Sequence, residues 1–166
     1  MNSPAASVAP VLVFGWGNLS RGDDALGPLL VERLRAERVP DERVEYLDDY
    51  QLQVEHALDL VGRQRVLFVD ASLSCAAPFE VTRLHARRDR GCSTHSLSPQ
   101  ALLQVFHELQ GVEPPPCCLL AIRGASFGLG EAPGPEALSH LESAWRWARD
   151  WLGPRAGTPP GRVGHA

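Results

Sequence analysis

Residues 11–27 read VLVFGWGNLSRGDDALG, and this stretch decides the fold. It opens with a short, fully apolar run of the kind found in a buried parallel strand. Two glycines follow at Gly15 and Gly17, and a strand that ends in Gly-x-Gly usually prepares a helix N-terminus to hold phosphate. Here two adjacent carboxylates, Asp23 and Asp24, stand where a phosphate would sit. The loop is therefore expected to meet a different kind of ligand.

The bulk composition is that of one globular domain. The chain has 166 residues, of which 44% are hydrophobic and 22% charged, and this size allows a sizeable core. A net charge of −4 gives no reason to expect nucleic acid as a partner. No apolar run approaches the roughly 18 residues that a membrane span needs, and the first ten residues do not resemble a secretory signal. The four cysteines fit neither a metal knuckle nor a disulfide framework, which favours the cytoplasm.

Predicted strands and helices alternate along the chain. Strands are predicted at VLVFG, RVEYLD, RVLFVDAS, FEVTRL and CCLLAIRG, and helices at ALGPLLVERLRAER, QLQVEHALDLVG, SPQALLQVFHELQG and GPEALSHLESAWRWARDWLG. The pattern predicts a three-layer α/β/α domain over residues 11–152, with a mostly parallel, twisted sheet of about five strands. FEVTRL alternates and carries charge, so it is the expected edge strand. Residues 1–10 and 153–166 are predicted to be disordered tails.

Polar residues that directly follow the strands are the candidates for function, because ligands of such sheets bind beyond the carboxyl ends of the strands. Asp24 lies just past strand one, Asp48 ends strand two, Asp70 ends strand three, and His95 lies in the loop before the third helix. Two carboxylates and an imidazole that converge there suit a borderline divalent metal. Each also has a plainer explanation: Asp23 or Asp24 can cap a helix, Asp48 and Asp70 can satisfy loop amides, and His95 can be a surface residue.

Two other motifs in the sequence offer alternative interpretations of the function. A dinucleotide fingerprint would need glycine at position 20, which is Ser20, and the two aspartates would repel pyrophosphate. Residues 124–128, GASFG, match the nucleophile elbow G-x-S-x-G, but an elbow must turn directly into a helix. The segment LGEAPGPE intervenes here, and the downstream histidines are His140, inside a helix, and His165, in the tail. The serine match is therefore interpreted as accidental.

Four stretches together resemble the [NiFe]-hydrogenase maturation endopeptidases: VFGWGNLSRGDDALG, VLFVDAS, THSLSPQALL and IRGASFGLGEAPGPEALSHLESA. The resemblance runs from about residue 11 to residue 152. It implies an α/β/α endopeptidase that removes a C-terminal extension from the hydrogenase large-subunit precursor after nickel insertion. By position, the family's metal-contacting residues fall on Asp24, Asp70 and His95. Some members have glutamate at the position of Asp24, and some have D-G-G-T where this chain has DDYQ.

The resemblance also sets expectations for the cofactor, the partner and the chemistry. Nickel is expected to arrive with the precursor rather than to be stably bound. The stretch QLQVEHALDL is more similar to members that serve cytoplasmic, NAD-linked hydrogenases. A carboxylate, Asp24 or Asp70, is expected to act as general base on a water, and Asp48 is assigned to substrate binding. The alternative is a metallochaperone or assembly factor that holds nickel through the same three residues without proteolysis.

Overall fold

The computed structural model describes residues 7–37, 41–89 and 97–154. Its strands are β1 Val11–Trp16, β2 Val44–Asp49, β3 Arg65–Ser72, β4 Phe79–Leu84 and β5 Cys117–Arg123. The α-helices are α1 Leu26–Glu37, α2 Pro99–Gln110 and α3 Pro135–Leu152, and two 3-10 helices span Gly22–Ala25 and Val54–Leu60. Among the described residues, none of the helices combines the length and the hydrophobicity that a membrane span requires.

The five strands form one sheet in the order β2-β1-β3-β5-β4. The first four of these pair in parallel, whereas β4 pairs antiparallel with β5 at the edge. This confirms the predicted sheet, including FEVTRL as its edge strand. The central strands β1 and β3 are buried on both faces, as their unbroken apolar sequences require.

Helices cover both faces of the sheet. Val11 and Val13 of β1 face a core shared with α1 and α3, whereas Leu12 and Phe14 face a second core shared with α2 and the 3-10 helix Val54–Leu60. Alternate residues of one strand thus feed two separate cores, because successive side chains of a strand point to opposite faces. The predicted three-layer α/β/α architecture is confirmed.

The segment predicted as a second helix, QLQVEHALDLVG, is helical but winds as a 3-10 helix over Val54–Leu60. Its buried side chains, Ala57 and Leu60, are three residues apart. That spacing matches the three residues per turn of a 3-10 helix, in which positions i and i+3 lie above each other. Two such contacts suffice for a short connection between β2 and β3, and a longer α-helix does not form.

The predicted tails fall mostly on residues that the structure does not describe, 1–6 and 155–166, so their disorder stays a prediction. Within the described part, the domain's contacts begin before β1. The carbonyl of Pro10 accepts a hydrogen bond from the amide of Gln64 at 2.7 Å. The segment just before β1 is thereby tied to the start of β3.

Gly17 makes possible the turn that leaves β1. Its φ is +154°, and a Cβ at this position would lie 1.9 Å from the carbonyl oxygen of Asp24. The chain returns so closely over this glycine that no larger residue fits. Gly27 plays a similar part in α1, because a Cβ there would lie 2.6 Å from the carbonyl oxygen of Trp16. The two glycines fix Asp24 at the carboxyl end of β1.

Candidate active site

The adjacent carboxylates Asp23 and Asp24 point in different directions and have different partners. Asp23 is buried, with 3% of its surface exposed. Its Oδ2 accepts hydrogen bonds from the amides of Ala125 (2.7 Å) and Ser126 (3.2 Å), and its Oδ1 accepts one from the amide of Gly134 (2.8 Å). One carboxylate therefore ties the loop after β5 and the N-terminus of α3 to the β1–α1 connection.

The ionised form of Asp23 is stabilised by these amides. Burial raises the pKa of the Asp23 carboxyl, but hydrogen bonds from the three amides, together with nearby His140, lower it further than burial raises it. The net pKa lies below the ordinary value, since a carboxylate that accepts several backbone hydrogen bonds holds its charge. Asp23 is thus a structural anion whose two oxygens both accept hydrogen bonds from backbone amides.

Asp24 is partly buried and lines an open cavity of about 350 Å³ at the carboxyl end of the sheet. One of its oxygens, Oδ2, accepts a hydrogen bond from the amide of Asn18 at 2.8 Å. This bond fixes the side chain and leaves the other oxygen, Oδ1, for a ligand. Of the two adjacent aspartates, Asp24 is therefore the one that faces the cavity.

Asp70 lies near the end of β3, in register with Ala121 of β5, and lines the same cavity as Asp24. Burial and the charge of Asp24 raise the pKa of Asp70 to about 7, against hydrogen bonding from the Ala71 amide and the Trp16 side chain. Two carboxylates that share a partly buried space repel each other when both are ionised. A cation beside them would offset this repulsion.

We call Asp24 and Asp70 the acidic pair. The open cavity that they share is lined by residues from several parts of the chain. Its lining comprises Trp16, Gly17, Asp24, Tyr50, Gln51, Asp70, Ala71, Leu97, Ser98, Pro99 and Phe127. Among these described residues, Asp24 and Asp70 are the only carboxylates. The described residues hold no group of three His, Cys, Asp or Glu side chains arranged for a metal ion. His95, the third residue expected at the metal, lies outside the described residues.

Asp48 does not line the cavity of Asp24 and Asp70. It lies in β2, in register with Gly15, and its carboxylate is 3.7 Å from the guanidinium of Arg35. It lines a neighbouring open cavity of about 640 Å³. The two cavities have Gly17 and Tyr50 in common, so Asp48 is placed beside the acidic pair rather than within it.

The serine motif at residues 124–128 does not form a nucleophile elbow. The hydroxyl of Ser126 donates a hydrogen bond to Oε2 of Glu131 at 3.0 Å, and the same Ser126 Oγ accepts one from the amide of Gly128 at 3.3 Å. The ring of His140 is directed at the carbonyl of Arg123, 2.9 Å away. The GASFG segment is instead the loop that Asp23 holds from below, and its Phe127 forms a wall of the cavity.

The raised pKa of Asp70 predicts a pH dependence of stability. Between about pH 4 and pH 7 folded Asp70 keeps a proton that the unfolded chain releases, so this group makes stability fall as the pH rises through that window. Asp70→Asn removes the effect. Each pH unit in this window changes the free energy of unfolding by about 1.4 kcal/mol. The free energy of unfolding of the variant, relative to that of the wild type, should therefore rise by about 2 to 3 kcal/mol from pH 5 to pH 8. Urea unfolding at both pH values measures this gain, and a stability difference independent of pH would contradict it.

Sequence comparisons and structural comparisons give different results. No protein-family model matches the sequence, and no curated protein matches it with significant similarity. Solved structures do match. The [NiFe] hydrogenase maturation protease HycI from Thermococcus kodakarensis superposes with a TM-score of 0.70 and 25% identity, covering 90% of this chain and 96% of that one.

Two further solved structures agree. The E. coli hydrogenase maturating endopeptidase HybD gives a TM-score of 0.67 at 25% identity, over 86% of this chain and 91% of that one. The hydrogenase 2 maturation peptidase from a Thaumarchaeota archaeon gives 0.64 at 26% identity, over 86% and 97%. The chain has the fold of the hydrogenase maturation proteases. The resemblance expected from the four sequence stretches is confirmed, and the similarity to named peptidases supports the predicted class, a peptide-bond hydrolase.

Sequence reasoning missed several features of this maturation-protease fold. It selected Asp24 rather than Asp23 but gave Asp23 no role beyond a possible helix cap, and it did not select Trp16, Tyr50 or Phe127 as cavity residues. Tyr50 carries one signal that the sequence displays, because it directly follows β2 at the carboxyl end of the sheet. Phe127 carries no comparable signal, since its position depends on the hydrogen bonds that Asp23 makes with a loop about 100 residues away.

Proposed function

We propose that this protein is an endopeptidase that removes the C-terminal extension of a [NiFe]-hydrogenase large-subunit precursor after nickel insertion, and that it recognises the nickel carried by that precursor. Asp24, Asp70 and His95 contact the nickel. Asp48 contacts the substrate beside it. The precursor brings the metal, and the protein alone holds nickel weakly. The NAD-linked hydrogenase partner and the cytoplasmic location predicted from the sequence belong to the same proposal.

The observation that carries the proposal is the pair Asp24 and Asp70 in one cavity. Burial, together with repulsion from the charge of Asp24, raises the pKa of Asp70 to about 7. A divalent cation that enters the cavity favours the ionised form of both carboxylates, because an opposite charge at short range offsets this repulsion. The site is therefore suited to test whether the incoming substrate carries a metal.

Asp24 and Asp70 also provide the groups for proton transfer in the proposed peptide hydrolysis. Peptide hydrolysis requires a group that takes a proton from the attacking water and returns one to the leaving amine. Asp24 and Asp70 are the carboxylates that line this cavity among the described residues, and an ionised carboxylate can take the proton of an attacking water. We assign proton transfer to this pair, with Asn18 holding Asp24 in place through its amide.

The mass of the precursor tests the proposal against the metallochaperone alternative. The nickel-loaded precursor is incubated with the purified protein, and its intact mass is measured by mass spectrometry. An endopeptidase shortens the precursor at its C-terminus, whereas a chaperone leaves its mass unchanged. If the mass of the precursor stays unchanged and calorimetry shows that the protein alone binds nickel tightly, the metallochaperone function would be favoured over the protease function.

A further inference from the structure

A group of exposed apolar side chains lies beside the acidic pair. Leu19, Tyr50 and Leu129 have 62%, 61% and 72% of their surfaces exposed, and all three line the neighbouring cavity of about 640 Å³. They come from three separate loops, and we call them the apolar rim. Large apolar side chains gathered around one concavity, rather than scattered singly, are typical of an interaction site.

The loops that present the apolar rim are held to one another. The amide of Gly130 donates to the carbonyl of Ser20 at 2.7 Å, and the amide of Gly22 donates to the carbonyl of Glu131 at 3.0 Å. The side chain of Asn18 accepts a further hydrogen bond from the amide of Ser20. Leu19 and Leu129 are thus displayed by a hydrogen-bonded framework and are placed in advance for a partner.

The charge of the same cavity is acidic. Asp48 and Asp49 both line it, and each side chain is 41% exposed. Asp49 is already occupied, because its Oδ2 lies 3.0 Å from Nε2 of His56 and its Oδ1 accepts the Tyr50 amide. Asp48 lies at the longer distance of 3.7 Å from the guanidinium of Arg35. This negative field disfavours an acidic partner and favours an uncharged or basic one.

We propose that the apolar rim binds an apolar side chain in the uncharged or basic segment of the precursor that flanks the scissile bond. This inference rests on the proposed function. The rim cavity and the cavity of the acidic pair meet at Gly17 and Tyr50, so an extended chain that occupies one continues into the other. The rim anchors the segment, and the acidic pair acts on the adjoining peptide bond.

The test measures binding separately from cleavage. In the Asp70→Asn background, which is expected to leave the precursor intact, the affinity for nickel-loaded precursor is compared with and without Leu19→Ser plus Leu129→Ser. Burying one leucine is worth about tenfold in affinity, so the loss of both should raise Kd by about 100-fold. The matched control is Leu109→Ser, since Leu109 is 64% exposed and lies at the far end of α2. It should leave Kd unchanged.

Each outcome decides the inference. A loss of affinity confined to the rim variant supports it, and in an otherwise wild-type background the same variant should raise KM while kcat stays nearly constant. Equal Kd values for the rim variant and Leu109→Ser would overturn it, as would a sedimentation result in which the rim variant alone abolishes a dimer, since a second copy would then be the occupant. Failure of the wild type to shorten the precursor would refute the protease function but leave the binding comparison decisive for the rim.

Discussion

Asp70→Asn is expected to lower the rate of precursor cleavage by about 100-fold or more while the protein remains folded. Asparagine keeps the shape of the side chain and most of its hydrogen-bonding capacity, but it carries no charge and does not accept a proton. A loss of this size is typical when a general base is removed. Initial rates of precursor shortening, measured at saturating protein concentration, give the effect directly.

The matched variants for this experiment are Asp24→Asn and Asp150→Asn. Asp24→Asn should show a comparable loss, because the asparagine oxygen can still accept the amide of Asn18 but the charge that faces the cavity is removed. Asp150 is exposed near the end of α3, and its substitution should leave the rate unchanged. A stable Asp70→Asn protein that cleaves at the wild-type rate would remove Asp70 from the site.

Asp23→Asn is expected to cost about 3 kcal/mol of folding free energy, even though Asp23 adjoins Asp24. One carboxylate oxygen accepts the amides of Ala125 and Ser126, and the other accepts the amide of Gly134. In asparagine one of these positions becomes an NH₂ group, which faces an N–H donor and leaves it unsatisfied. A buried donor without a partner costs about 1 to 3 kcal/mol, and more where a charge was involved. Urea unfolding at pH 7 measures the loss.

The contrast with Asp24→Asn makes the stability measurement specific. Asp24→Asn should change the free energy of unfolding by less than about 1 kcal/mol. The excess stability of the wild type over Asp23→Asn should persist at neutral pH and shrink as the pH falls below about 4, because a carboxyl with a lowered pKa contributes stability only while it is ionised. Equal stabilities of the two variants at pH 7 would contradict the separate roles assigned to these neighbours.

The sequence predicted the strands well for a physical reason. Runs such as VLVF and VLFV are apolar at every position, and a strand buried on both faces requires this. FEVTRL alternates between apolar and polar residues and carries charge, and this pattern predicted an edge strand. The winding of Val54–Leu60 was not predictable at the same level, because two buried residues three apart fit either an α-helix or a 3-10 helix, and only the length of the connection between β2 and β3 decides between them.

The candidate site was partly predictable. The carboxyl ends of parallel strands meet at one edge, so Asp24 and Asp70 could be selected from their places after strands one and three. Asp23 has the same local signals as Asp24, and only the position of the loop at 124–128 shows that it faces inward. Leu19 and Leu129 carry no signal at all in the sequence, because exposed leucines are common and their grouping arises from the folding of distant loops onto one another.

The central claim is that the cavity of Asp24 and Asp70 acts on a precursor that carries nickel. The most direct measurement is intact mass spectrometry of the large-subunit precursor after incubation with the wild-type protein, with nickel-loaded and nickel-free precursor run in parallel. We expect the nickel-loaded precursor to lose its C-terminal extension, the nickel-free precursor to keep it, and Asp24→Asn and Asp70→Asn to slow cleavage of the nickel-loaded precursor by about 100-fold or more. Equal cleavage of the two precursors, or cleavage unaffected by both substitutions, would contradict it.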